Sequence, residues 1–251
     1  MIPSERMQFI LQELREHKII HVKTIAAKLN TSESTIRRDF INLEKEGKLN
    51  RVHGGATLGD GRSIYNSSKE IYVSDRTMVN TEAKEAIAMA IAQKIEDHQC
   101  VFIDGGSSLA PLAELLAQRD LSIVTNNVLF IEKLYKAKAE VYFLGGQYLD
   151  KYQMTMGPLA MEQLSYFNFD AAFISCSGVS FEKEQAYTAE LSTNILKQQV
   201  MRQSLHSYLV VDDSKIEMIG FCSIAPLHEF KGIFCNQVDD VETSLENMIW
   251  I

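Results

Sequence analysis

The sequence predicts an α/β protein in two parts, an N-terminal winged helix-turn-helix domain followed by a doubly wound, mostly parallel α/β domain. Three observations predict it. Apolar residues recur at helical spacing in three short runs before residue 46. Beyond residue 80, short apolar runs alternate with helix-period stretches, as strands and helices do in a parallel sheet. The charge also divides: residues 1–57 hold ten Lys/Arg against seven Asp/Glu, and the remainder holds fifteen against twenty-six. The overall −8 therefore hides a basic N-terminal segment. An acidic remainder is held off DNA and weakens non-specific binding.

The first stripe is Met7, Ile10, Leu11 and Leu14, with Ser4 placed to cap the helix that carries it. The second is Val22, Ile25, Ala26 and Leu29. Asn30, Thr31 and Ser32 then break the pattern with turn and capping chemistry. The third is Ile36, Phe40 and Leu43. Two short helices joined by so brief a turn make a helix-turn-helix. The free face of the second carries Ser34, Thr35, Arg37, Arg38 and Asn42, side chains able to reach base edges and phosphates. Thr24 and Ser32 join them as candidate contacts at the helix entrances. Gly47 suits the left-handed position that ends a helix. Leu49–Val52 alternates like a strand, Gly54-Gly55 turns, and Ala56–Leu58 returns. This wing would bring Arg51 and His53 to the DNA backbone or minor groove.

Thr35-Ile36-Arg37-Arg38-Asp39-Phe40 and Arg51-Val52-His53-Gly54-Gly55-Ala56 together resemble the N-terminal signature of the DeoR family of bacterial transcriptional regulators. That signature pairs a T-x-R-R-D-L-like recognition helix with an R-x-H-G-G-A wing, and Phe40 stands here for the usual Leu. The resemblance implies binding of double-stranded operator DNA.

Residues 59–68, GDGRSIYNSS, have linker composition. The expected organisation is a DNA-binding domain over 1–57, a linker over 58–70 and an α/β effector-binding and oligomerisation domain over 71–251. In the last, a helix is expected over Thr81–Ile95. Strands are expected at 100–104, 121–125, 140–145, 170–176, 207–212 and 231–236. Helices are expected over Ser108–Gln118, Val128–Ala137, Leu159–Tyr166 and Glu190–Ser204. Ligands of such sheets bind beyond the carboxyl ends of the strands. Those ends read Asp104-Gly105-Gly106-Ser107-Ser108, Thr125-Asn126-Asn127, Gly145-Gly146-Gln147 and Asp212-Asp213-Ser214-Lys215. Small residues let backbone approach an anion, hydroxyls donate, a helix N-terminus attracts negative charge and Lys215 adds a cation. The set describes a pocket for a small, polar, phosphorylated molecule.

The resemblance to the DeoR family continues here. Arg76 and Lys84-x-x-Ile87-Ala88 look like the family's entry into this domain. Asp104–Ser108 resembles its D-x-G-T-T loop, and Thr125-Asn126, Leu144-Gly145-Gly146 and Asp212–Lys215 its T-N, L-G-G and D-x-S-K motifs. Thr188 and Lys197 stand where the family has a threonine and a basic residue. The resemblance implies a fold similar to ribose-phosphate isomerases and a sugar-phosphate effector. Ser175-Cys176-Ser177-Gly178 departs from the family's G-A-D-G and supplies no carboxylate for proton transfer. No catalytic residue, cofactor or metal is expected.

The remaining features bound the function. At 251 residues with 46% hydrophobic content, the chain can bury a sizeable core, and no apolar run approaches the length of about 18 residues that spans a membrane. The N-terminus has no apolar core like a signal peptide's, and four cysteines without CxxC spacing suit buried thiols in a cytoplasmic protein. The six histidines lack ligand spacing. The expected function is a repressor of a sugar-metabolism operon, acting as a homo-oligomer. The alternatives are a sugar-phosphate isomerase with a DNA-binding appendage, and an adaptor whose second domain binds protein.

Overall fold

The structure, a computed structural model, describes residues 3–17, 19–45, 48–52, 55–57, 64–65, 72–77, 80–237, 243 and 245–251. The chain divides into two compact units, Met1–Ser63 and Ile64–Ile251.

The first unit runs α1 (Pro3–His17), β1 (Ile19–His21), α2 (Val22–Lys28), α3 (Glu33–Lys45), β2 (Asn50–Val52) and β3 (Gly55–Thr57). Its core is the three apolar stripes: Ile10, Leu14, Ile25, Ile36, Phe40 and Leu43 are each at most 1% exposed. Each such side chain contributes about 1.5–3 kcal/mol on burial. The α2–α3 turn is built from hydrogen bonds. Asn30 takes a left-handed φ of 45°. Its amide donates to the Ala27 carbonyl at 3.3 Å, and that of Thr31 donates to Ala26 at 3.0 Å, the paired bonds of a Schellman motif. Ser32 then caps α3 by accepting from the Thr35 amide at 3.2 Å. Asp39, buried on the inner side of α3, pairs with Arg6 of α1 and fixes the angle between them.

Two details depart from expectation. The first helix begins at Pro3, so Ser4 lies in its first turn and is not its cap; proline is preorganised for that opening position. Strand β1 was not expected: Ile19–His21 pairs antiparallel with β3 and makes a three-stranded sheet in the order β1-β3-β2. Gly47, His53, Gly54 and all but Ile64 and Tyr65 of the linker stretch 59–68 lie outside the described residues.

The second unit begins with α4 (Val73–Thr77), α5 (Thr81–Lys94), β4 (Cys100–Ile103), α6 (Leu112–Leu116), β5 (Ser122–Thr125), α7 (Val128–Glu132) and β6 (Glu140–Phe143). It continues with the hairpin β7 (Gln147–Leu149) and β8 (Met154–Met156), then α8 (Pro158–Leu164), β9 (Phe169–Ser175), β10 (Gly178–Ser180), β11 (Gln185–Thr188) and α9 (Leu191–Arg202). It closes with β12 (Ser204–Val210), β13 (Cys222–Pro226), β14 (Gly232–Cys235) and β15 (Met248–Trp250). Seven strands form a parallel sheet in the order β15-β14-β12-β9-β4-β5-β6. Alternate residues feed two cores. Val101, Ile103 and Ile123 pack with α5, α6 and α7, while Phe102, Val124 and Ile174 pack with α8 and α9. Covering both faces explains why the strands read as continuous apolar runs.

The six expected strands are present and β15 adds a seventh. The β7–β8 hairpin and the antiparallel sheet β10-β11-β13 were not expected. Two helices are shorter than expected. Ser108–Gln118 reduces to α6, because Pro111 disfavours helical backbone before it. Val128–Ala137 reduces to α7, and the left-handed Lys136, φ 47°, turns the chain toward β6. The chain steps outward from β4 through β5 to β6, then returns to place β9 on the other side of β4. The crevice between the ends of β4 and β9 is thus the switch point where such sheets bind ligands.

Candidate functional site

The DNA-facing candidates sit on α2, α3 and the wing. Thr24, Ser34, Arg37, Arg38 and Asn42 are exposed, and Thr35 is half-buried. Ser32 spends its hydroxyl inside the turn, 2.9 Å from Ser34 Oγ and 2.8 Å from Thr35 Oγ1. Arg37 pairs with Glu33 one turn earlier, at 3.2 Å. Arg38 makes no ion pair among the described residues. Arg51 is held by Glu44, which accepts from both its amide (2.8 Å) and its Nε (2.5 Å). Ile41, 37% exposed in the same face, was missed by reading stripes alone. Its apolar branch is suited to a thymine methyl.

In the second unit the expected rim residues gather at the carboxyl ends of β12, β9, β4 and β5, and they fall into two clusters. Asp104, just past β4, is 1% exposed. Its Oδ2 accepts from the Ser175 amide at 2.9 Å and the Ser175 hydroxyl at 2.8 Å, and it pairs with Lys197 of α9. Lys197 Nζ also lies 3.1 Å from Ser175 Oγ. The second cluster surrounds Asp212, past β12. It receives Asn80 Nδ2 at 3.2 Å and the Ser214 amide at 3.2 Å, and pairs with Lys215 at 3.4 Å. Lys215 Nζ is 3.4 Å from Ser108 Oγ, which joins the glycine-serine loop to this cluster. Lys84 of α5, 4% exposed, donates to the Arg76 carbonyl.

The electrostatics follow from this crowding. Burial foremost, then repulsion from Lys215 and Arg76, lowers the Lys84 ammonium to about 8, with Asp212 opposing. Burial works against the Asp212 carboxylate, but Lys215, Ser214, Lys84 and Asn80 outweigh it and hold its pKa below the usual value. Burial pushes the Cys176 thiol up to about 11 although Lys215 and Lys197 both act on it from either side. Lys215 and Arg76 thus lie close enough to Lys84 to disfavour its charge, an arrangement that an anion relieves.

Several expected residues are used structurally. Thr125 donates its hydroxyl to the Ile103 carbonyl at 2.6 Å, tying β5 to β4. The Gly145 amide donates to Gln163 Oε1 at 2.7 Å. At Gly146, φ +138°, a Cβ would stand 2.4 Å from the Met156 carbonyl. These two glycines let β8 and α8 close over β6. Gly106, φ +132°, lets the loop turn beside Ser175. Asn127 clamps that loop by donating to the carbonyls of Asp104 (3.1 Å) and Gly106 (3.0 Å). One expectation is corrected: the loop does not open directly onto a helix. Residues 105–111 form turns and α6 starts only at Leu112, so the loop is set by Asn127 and Ser175 and not by a helix N-terminus. Asn80 and Asn194 carried no signal in the sequence, and Ser175 was marked only as a departure from the family's G-A-D-G. Asp212 and Lys197 lay in motifs without an assigned role.

A family model described as the DeoR-like helix-turn-helix domain matches residues 6–61, and one described as the DeoR C terminal sensor domain matches residues 79–237. The chain belongs to the DeoR family of transcriptional regulators. The regulator is 30% identical over 227 residues to the uncharacterized HTH-type transcriptional regulator FruR of Bacillus subtilis, covering 90% of this chain and 88% of that one. It is 31% identical over 230 residues to YulB of the same organism, covering 91% and 87%. It is 29% identical over 238 residues to the lactose phosphotransferase system repressor of Staphylococcus epidermidis, covering 94% and 92%. Solved structures similar to it include ribose 5-phosphate isomerase A of Neisseria gonorrhoeae, at 16% identity and TM-score 0.37 over 53% of this chain and 52% of that one. Among the described residues, no helix of the regulator is long and apolar enough to cross a membrane.

Proposed function

We propose that this DeoR-family regulator represses a sugar-metabolism operon in the cytoplasm, binding double-stranded operator DNA through α3 and the wing and responding to a phosphorylated sugar at the carboxyl edge of its parallel sheet. In this reading residues 1–57 bind DNA, 58–70 connect, and 71–251 bind effector and assemble the homo-oligomer. Arg38, Arg37, Ser34, Thr35 and Asn42 face the groove, while Thr24, Arg51 and His53 meet the backbone. The observation that carries the effector assignment is the convergence of Lys84 and Lys215 on Asp212, with Arg76 beside Lys84 and Ser108 of the glycine-serine loop against Lys215. A phosphate there meets fixed positive charge and hydroxyl donors. The names of the Staphylococcus relatives support the link to sugar uptake.

The sensor unit binds without turnover in this reading. Asp104, the buried carboxylate at the switch point, has its Oδ2 engaged by Lys197 and Ser175. A thermal-shift screen of pentose and hexose phosphates tests the proposal. Stabilisation by a phosphorylated sugar, with less by its unphosphorylated form, is expected. The reverse order defeats the phosphate assignment, and measurable isomerisation of any hit defeats the binding-only reading.

A further inference from the structure

Two buried acceptors of the sensor unit take no part in the cluster around Asp212. Asn126 is fully buried, and its Nδ2 donates to the Thr155 carbonyl at 3.1 Å and lies 3.4 Å from Met156 Sδ. Both neighbours are acceptors, so the orientation of the amide is fixed and Oδ1 is the oxygen. That Oδ1 has no hydrogen-bond partner. Asn194 of α9, 8% exposed, likewise has a buried Oδ1 without a partner. Buried acceptors are nearly always satisfied, so these two call for a reason.

Their placement supplies it. Ile103 and Thr125 are register partners, so Asp104 and Asn126 leave the sheet side by side, about 4.8 Å apart across parallel strands. Lys197 reaches Asp104 from α9, and Asn194 lies one helical turn before Lys197 on the same helix. Helix α9 also packs on β8, the strand that holds the Asn126 amide. Asn126 thus stands beside Asp104, and Asn194 stands one helical turn from the lysine that pairs with Asp104.

We propose that Asn126 and Asn194 form a hydroxyl-recognition subsite, each Oδ1 accepting from a hydroxyl of the bound sugar while its phosphate lies toward Lys84 and Lys215. This rests on the phosphorylated-effector reading above. A carbonyl oxygen without a partner needs a donor, and a phosphate offers only acceptors, so the two ends of the ligand cannot exchange places. The ligand class is a monophosphate bearing at least two free hydroxyls remote from the phosphate.

Isothermal titration of the full chain with inorganic phosphate, glycerol 3-phosphate, ribose 5-phosphate and fructose 6-phosphate tests the subsite. The wild type is expected to bind at least one of the two sugar phosphates more tightly than glycerol 3-phosphate or phosphate alone. Asn126→Ala and Asn194→Ala should each weaken that sugar phosphate by about tenfold while leaving inorganic phosphate within about twofold. Lys215→Ala should weaken both. Asn variants that keep wild-type sugar-phosphate affinity, or lose phosphate and sugar phosphate equally, overturn the subsite and leave the phosphate reading standing. A wild type that binds none of the four overturns both. If Asn126→Ala does not fold, Asn194→Ala decides alone, because its side chain makes no hydrogen bond among the described residues.

Discussion

Replacing Lys197 by Met removes the cation from the most deeply buried ion pair among the described residues. Both partners are nearly inaccessible, with side chains 4% and 2% exposed. Removing one member of a buried pair costs about 3–5 kcal/mol, because the remaining charge loses its partner and regains no water. The low end applies here, since the Ser175 amide and hydroxyl still donate to Asp104 Oδ2. A loss of about 3 kcal/mol lowers the midpoint by about 6–12 °C for a unit of this size. Trp250, the single tryptophan, lies on β15 within the sensor unit, so its fluorescence follows unfolding of that unit. Lys197→Met should therefore shift the fluorescence midpoint, and adding Asp104→Asn should recover part of the loss. A Lys197→Met protein as stable as wild type, or a double variant as unstable as the sum of its parts, would refute the reasoning.

Further predictions follow from the same geometry. Lys84 has its pKa lowered from 10.5 to about 8, so the unfolded chain binds the extra proton between those values. Stability without ligand should then rise with pH across that window, by on the order of 3 kcal/mol, and Lys84→Met should flatten the rise in denaturant titrations. Binding an anion favours charged Lys84, so sugar-phosphate affinity should fall as pH is raised from 7 to 9. In the DNA-binding unit, Arg38→Ala should cost about 1–3 kcal/mol of operator affinity in anisotropy titrations. Relaxed base preference at one position marks a base contact, whereas a salt slope reduced by about one with preference intact marks a phosphate contact. Asn30→Ala forces a side chain without local hydrogen bonding into left-handed backbone and should cost about 1–2 kcal/mol, while Asn30→Gly should not, as read by calorimetry of the full chain.

The apolar stripes made the helical core of the first unit legible, since Ile10, Leu14, Ile25, Ile36, Phe40 and Leu43 repeat at helical spacing and all enter one cluster. The parallel strands were legible for a different reason: two covered faces leave no polar alternation to confuse them. What stayed hidden were three- to five-residue strands such as β1, β10 and β13, too short to show a period and defined only by distant partners. The rim motifs at Asp104, Thr125 and Asp212 fall at one edge of the parallel sheet. They did not separate residues that line a site from residues that build it. Thr125, Gly145 and Gly146 are used up in local packing, whereas Asn80 and Ser175 reach Asp212 and Asp104 through tertiary contacts that no local pattern encodes.

In the proposed function, occupancy of the sensor edge changes how the winged helix binds DNA. This coupling is tested most directly by anisotropy on a DNA fragment that the regulator itself selects from random sequence. Titrations would be run with and without the sugar phosphate found by thermal shift, for wild type and Lys215→Ala. The sugar phosphate is expected to change wild-type operator affinity by about 5–150-fold, and Lys215→Ala to bind the fragment normally without responding. Operator affinity unchanged by a sugar phosphate that demonstrably binds, or an undiminished response in Lys215→Ala, would contradict the proposed coupling.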